Sequence, residues 1–113
     1  MKSDEELNNL AATAILHWTV ENGFYINSVK HKVCAVLDYR PISDPEQYKY
    51  LAGKMQARDY QIVVREIEGR FEVEYSKYGE FFKFIDITES RAGTIAALMA
   101  YQQLGPDTLR DNV

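Results

Sequence analysis

The sequence predicts an α+β fold, an antiparallel three- to four-stranded meander packed by three helices. Three segments carry helix start signals with apolar residues at helical spacing behind them. Two Gly-containing turns set hairpin registers that agree on which sheet face is buried. The 113 residues, 46% of them hydrophobic, suffice for one core without metal or disulfide help, so residues 1–113 read as a single domain.

In chain order, Ser3 caps a first helix over 4–22, with Glu6 closing a capping box and Asp4 and Glu5 facing the positive helix end. Leu7, Leu10, Ala11, Ala14 and Trp18 form its apolar stripe, and Asn22-Gly23 supplies a left-handed stop. Within residues 24–42, "KVCAVLDY" reads as a fourth strand at a sheet edge, ended by Pro41. A second helix spans 44–58, with Asp44 as cap, Pro45 at the first helical position and Gln47 at the capping-box position. Tyr48, Leu51, Ala52 and Met55 share its apolar face. The last helix, 88–104, starts near Thr88 and stops at Gly105-Pro106, with Ala92, Ile95, Ala96 and Met99 as its stripe. Gly93, Ala97 and Ala100 add a small-residue surface for close packing on a sheet.

The meander occupies 60–67, 70–77 and 80–87. With Tyr78-Gly79 as a two-residue loop, Tyr75 faces Phe82, Val73 faces Phe84, Glu74 meets Lys83 and Lys77 meets Glu80. With Glu68-Gly69 as another, Val64 faces Val73, Ile62 faces Tyr75 and Arg65 meets Glu72. A slip of one residue would turn every side chain over, so the agreement of the two hairpins is strong evidence for this register.

Seventeen acidic against thirteen basic side chains, a net charge of −4, oppose broad attraction to phosphate backbones. The single cysteine, Cys34, cannot form an internal disulfide. With no secretory leader pattern, this points to a reducing, cytoplasmic setting. No apolar run reaches the roughly 18 to 20 residues that span a bilayer.

Reactive side chains are sparse. His17, His31 and Cys34 are the soft-ligand candidates, but His31-x-x-Cys34 supplies two ligands where structural zinc takes four. Cys34 with His31 has the residue types of a nucleophile and base, yet "VCAV" reads as a buried strand. Glu66 and Asp86 flank Phe71 in one row of the meander, where acid–base work competes with simple solvation at the sheet's open end. Neither phosphate-binding glycine motif occurs. We therefore expect no enzyme activity and no cofactor.

Two binding readings are left. The outer meander face carries Val63, Ile67, Phe81 and Ile85 among its charges, more apolar than a face meant for water. Val63, Glu72, Glu74, Phe81 and Ile85 are its candidate protein-binding residues. A helix over that face, or a homodimer, would use the same side chains. The second reading places a small nucleotide by Lys32, Tyr39 and Arg40, a basic zone beside tyrosines. Direct nucleic-acid binding fits the acidic chain poorly.

"YRPISDPEQYKYL", Tyr39 to Leu51, the hairpins, and "ITESRAGTIAALMAY", Ile87 to Tyr101, together resemble small phage proteins of the ABA-sandwich type, including short proteins from the nin region of lambdoid phages. The resemblance rests on Ser43, Asp44, Arg91, Ala92, Ala96, Ala97 and Leu98 and on element order. It implies a phage or prophage origin and a helix-sheet-helix sandwich, and brings no catalytic residues. The expectation is a non-enzymatic phage accessory protein that binds a host protein, such as an antiviral defence complex, or alternatively sequesters a nucleotide.

Overall fold

The computed structural model describes residues 2–102. Helix α1 (Asp4–Leu10) is followed by short strands β1 (Thr19–Glu21), β2 (Phe24–Ile26) and β3 (Lys32–Ala35). Helix α2 (Pro45–Gln56), strands β4 (Gln61–Ile67), β5 (Arg70–Lys77) and β6 (Glu80–Asp86), and helix α3 (Glu89–Gln102) follow in order. The strands make two antiparallel three-stranded sheets, β1-β2-β3 and β4-β5-β6. The fold is α+β.

The meander forms in the register the sequence predicts. Ile62 pairs with Tyr75, Val64 with Val73 and Arg65 with Glu72. Val73 pairs with Phe84, Tyr75 with Phe82, Glu74 with Lys83 and Lys77 with Glu80. Both turns put their two central residues at positive φ, 53° and 79° at Glu68-Gly69 and 52° and 81° at Tyr78-Gly79. This mirror-image turn matches the strand twist, and glycine adopts it without steric cost.

Helix α3 lies across the inner face of β5 and β6. Its start is capped by Thr88, whose Oγ1 accepts from the Arg91 amide at 3.2 Å. Every residue from Ala92 to Ala100 is buried, more than one apolar stripe requires. The reason is that its far side packs on α2 and α1. Gly93 belongs to that far side, where a Cβ would fall 2.2 Å from the Tyr48 ring. The glycine thus serves helix α2 rather than the sheet. Tyr48 passes α3 at this point and its hydroxyl meets that of Tyr75 at 2.9 Å, so one buried pair joins helix α2 to strand β5. The predicted stop at Gly105-Pro106 lies outside the described residues.

The N-terminal third departs from expectation. The capping box is present, Ser3 Oγ accepting from Glu6 N at 3.2 Å and Glu6 Oε1 from Ser3 N at 3.1 Å. The helix does not run to 22. It widens into a π-helical turn at Ala11–Ile15, which shifts the buried side to Leu7, Ala11, Ala12 and Ile15 and leaves Leu10 and Ala14 half-buried. His17, at φ 59°, ends it, and the Trp18 amide donates back to the Ala12 carbonyl at 3.0 Å. Asn22-Gly23, at φ 51° and 79°, is the β1–β2 hairpin turn rather than a helix stop. The expected fourth strand exists as β3, but it pairs with β2 in the second sheet, not at the meander's edge. Val36–Asp38 leave it as a 3-10 turn.

Asp44 caps α2 as predicted, accepting from the amides of Glu46 and Gln47 at 3.0 and 3.3 Å. Gln47 does not close a capping box. Its carboxamide instead donates to the Asp38 carbonyl at 2.8 Å and accepts from the Arg40 amide. On α1, Asn8 Oδ1 accepts from the Ile42 amide at 3.1 Å and Asn9 Oδ1 from the Tyr25 hydroxyl at 2.8 Å. These bonds hold the 39–44 connection and β2 against the first helix.

Candidate functional site

The outer face of β4–β6 is the first candidate surface. The register sends Val63, Glu72, Glu74, Phe81 and Ile85 to that one side. Val63, Ile67, Phe81 and Ile85 are 40%, 46%, 65% and 46% exposed, so the helices leave this face bare. Strand β4 is open on its inner side too, where Val64 is 41% exposed, because α3 sits over β5 and β6.

The charges on this face differ from expectation. Glu72 is buried and held by Arg65 at 2.8 Å and Lys83 at 3.7 Å. Lys83 stands opposite Glu74, as predicted, yet reaches the diagonal Glu72 instead. With Glu72 spent on two cations, the face has nearly balanced charge along its middle and apolar side chains on its two edge strands. The aliphatic and aromatic side chains remain its accessible anchors.

The reactive residues stand apart or are already engaged. His17 is exposed and its Nε2 lies 3.0 Å from the Tyr101 hydroxyl. His31 sits in the β2–β3 loop, its amide donating to Asn27 Oδ1 at 2.9 Å. Cys34 is half-buried on β3, and its thiol pKa is raised, first by burial and then by the Asp38 carboxylate. Such a thiol is protonated at neutral pH and a weak nucleophile. Glu66 and Asp86 do flank Phe71, but Asp86 accepts from Arg91 Nε at 2.9 Å. Arg91 also donates to Asp4, so Asp86 is drawn into a structural bridge with Asp4 in which Glu66 has no part. Among the described residues no group of three or more His, Cys, Asp and Glu side chains could hold a metal ion.

The predicted nucleotide residues are only partly brought together. Tyr39 and Arg40 line a groove of about 660 Å³ with Asn9, Tyr25 and Leu37, but also with Asp4, Glu5 and Glu6. Tyr39 is almost fully buried, and its hydroxyl has no hydrogen-bond partner. Burial, then the neighbouring ionisable groups, pushes its pKa far above the usual tyrosine value. Lys32 does not line this groove; its Nζ lies 4.4 Å from the centre of the Phe24 ring.

A second groove, of about 320 Å³, lies between α2 and the β2–β3 hairpin. Tyr50, Lys54 and Arg58 form one wall and Asn27, Ser28 and Val33 the other, with Leu16 and Trp18 between them. Trp18 packs on Tyr39 and Tyr25 at ring distances of 5.1 and 5.7 Å, and on Tyr50 at 6.3 Å. Sequence reading placed Trp18 on a helical stripe and assigned no role to Tyr50, Lys54 or Arg58. Their spacing of four residues, one turn of a helix, is the signal that could have grouped them.

No family model and no curated protein matches the chain. Among the described residues no helix is long and apolar enough to cross a membrane. The fold is similar to that of a phage protein from Bacillus cereus ATCC 14579 whose crystal structure is known at 2.0 Å. The two share 15% sequence identity at a TM-score of 0.70, over 87% of this chain and 91% of that one. At that identity the likeness concerns the fold.

Proposed function

We infer that this chain is a non-enzymatic accessory protein of phage or prophage type that acts in the bacterial cytoplasm by binding a host protein. The observation that carries the reading is the bare outer face of β4–β6, with four large apolar side chains 40% to 65% exposed. Large apolar side chains left uncovered on both edge strands, either side of the polar outer row of β5, are more than a solvated face needs and suit an interaction site. Phe81 is the natural anchor, since an exposed aromatic that can enter a partner's pocket supplies much of an interface's affinity. Strand β4, the edge strand at the other side of the sheet from Phe81, offers backbone groups to an added strand.

Binding without catalysis is favoured by the raised thiol of Cys34, the engagement of His17 by Tyr101 and the capture of Asp86 by Arg91. The phage neighbour in fold supports the biological setting, and in that setting an antiviral defence complex is a fitting target. The test is affinity capture from host lysate with the natural chain and with Phe81→Lys/Ile85→Lys, both shown folded by circular dichroism. The natural chain should retain a stoichiometric partner and protect β4–β6 amides from exchange when bound, and the variant should lose both. Equal capture by the two forms would remove the sheet face from the proposal. Sedimentation of the purified chain separates a host partner from a second copy.

A further inference from the structure

We propose that the groove between helix α2 and the β2–β3 hairpin is a binding site for a small phosphate monoester carrying an aromatic ring, of mononucleotide size. Acidic side chains outnumber basic ones by 17 to 13 in this chain, yet the groove is lined by Lys54 and Arg58 and by no acidic residue. Among the described residues neither cation forms an ion pair. Lys54 Nζ lies 5.2 Å from the centre of the Tyr50 ring, and the Arg58 guanidinium 5.0 Å from that of Tyr101. Arg58 Nη1 is buried with no acceptor. Buried guanidinium nitrogens ordinarily have partners, so Arg58, a residue of the groove wall, has donor capacity left unused.

The polar complement lies on the opposite wall. Asn27 Oδ1 is occupied by the amides of Val29 and His31, which leaves its side-chain NH₂ as a donor beside the Ser28 hydroxyl. Donors and cations thus converge without a competing carboxylate. The Tyr50 ring is half-exposed at the same opening, and an aromatic ligand group can pack against it as a phosphate meets Lys54 and Arg58. At about 320 Å³ the groove is at the small end of small-molecule sites. Two cations on an acidic domain fit a single nucleotide better than a nucleic-acid strand, which needs a charged track.

Trp18, the chain's single tryptophan, lines this groove, so its emission reports occupancy directly. At low ionic strength, titration with adenosine monophosphate should change Trp18 emission saturably and raise the melting temperature. Adenosine, lacking the anion, should bind at least about tenfold more weakly, as expected for loss of a charge-assisted contact. Lys54→Gln, an exposed substitution that leaves the fold intact, should weaken the monophosphate similarly, and Arg58→Gln should weaken it further. High salt should erase the difference between the two ligands. The proposal is overturned if neither the monophosphate nor inorganic phosphate alters emission or stability at millimolar concentration. It is equally overturned if adenosine binds as well as the monophosphate, or if folded Lys54→Gln binds unchanged.

Discussion

The two sheets share a turn chemistry and differ in what holds them. β4–β6 has strands of seven and eight residues, two turns with positive φ at both central positions, and an inner face covered by one helix over β5 and β6. β1–β3 uses the same turn geometry at Asn22-Gly23, but its strands are three or four residues long and no helix lies flat across it. Its support is an aromatic cluster, with Trp18 packed against Tyr25 and Tyr39 and the Tyr25 hydroxyl bonded to Asn9. A turn therefore places two strands, and burial against something else keeps them.

The sharpest way to break this comparison is Trp18→Ala. Truncating a buried tryptophan costs about 3–5 kcal/mol, and here the loss should fall first on β1–β3. Hydrogen exchange should show β2 and β3 amides opening in conditions where β5 amides are still protected. Equal loss in both sheets would mean that the small one has no separate dependence on its cluster.

Gly93→Ala attacks the other support. The new methyl would meet the Tyr48 ring at 2.2 Å. Overpacking of that kind costs about 1–3 kcal/mol, more than the helix-propensity gain of about 1 kcal/mol returns. A lower denaturant midpoint with loss of α3 protection is the expected result, and an unchanged midpoint would show that α2 can shift aside freely.

A smaller effect should come from the Tyr48–Tyr75 hydroxyl pair. Tyr48→Phe leaves the Tyr75 hydroxyl buried without its partner, at a cost of about 1–3 kcal/mol, whereas removing both hydroxyls should cost less than the two single changes together. The pair also sets a pH limit. Burial raises Tyr48 to about 12 and holds Tyr75 well above the ordinary 10.0. The unfolded chain ionises first, so rising pH favours unfolding. Stability on this account is full below pH 10 and declines between about 10 and 12. Tyr48→Phe/Tyr75→Phe should flatten that decline in a urea titration across the range.

Much of the fold was legible in the sequence because several signals constrained the same residues. In β4–β6, alternation and two turns specify one register, and each strand is long enough to show both. The first helix misled because Asn22-Gly23 serves either a helix stop or a hairpin, both of which need positive φ. The π-helical turn at Ala11–Ile15 then moved the buried side off the 3.6-residue period that Leu10 and Ala14 follow. β1–β3 are too short for alternation to identify a face. Of the candidate sites, the sheet face could be derived from register, since Val63, Phe81 and Ile85 follow from pairing alone. The groove could not, because Tyr50 and Lys54 are on α2 and Arg58 just past its end, while Trp18, Asn27 and Ser28 reach them only through tertiary contact. Nothing in the local sequence of Arg65 or Lys83 foretells that both reach Glu72.

The bridge from Arg91 to Asp4 spans 87 residues of chain and bears on the order in which the molecule assembles during synthesis. Helix α1 leaves the ribosome before α3, yet Leu7, Ala11, Ala12 and Ile15 belong to a core shared with α3, and its salt bridge is offered by α3 as well. Until α3 emerges, the first helix has only the bonds from Ile42 and Tyr25 to Asn8 and Asn9 and lacks most of its core, and a seven-residue helix is marginal in water alone. The hairpins of β4–β6 depend on close neighbours in the chain and can form before that closure. Helix α1 is thus made before the element it packs on, and its apolar side stays exposed while the residues between α1 and α3 are synthesised.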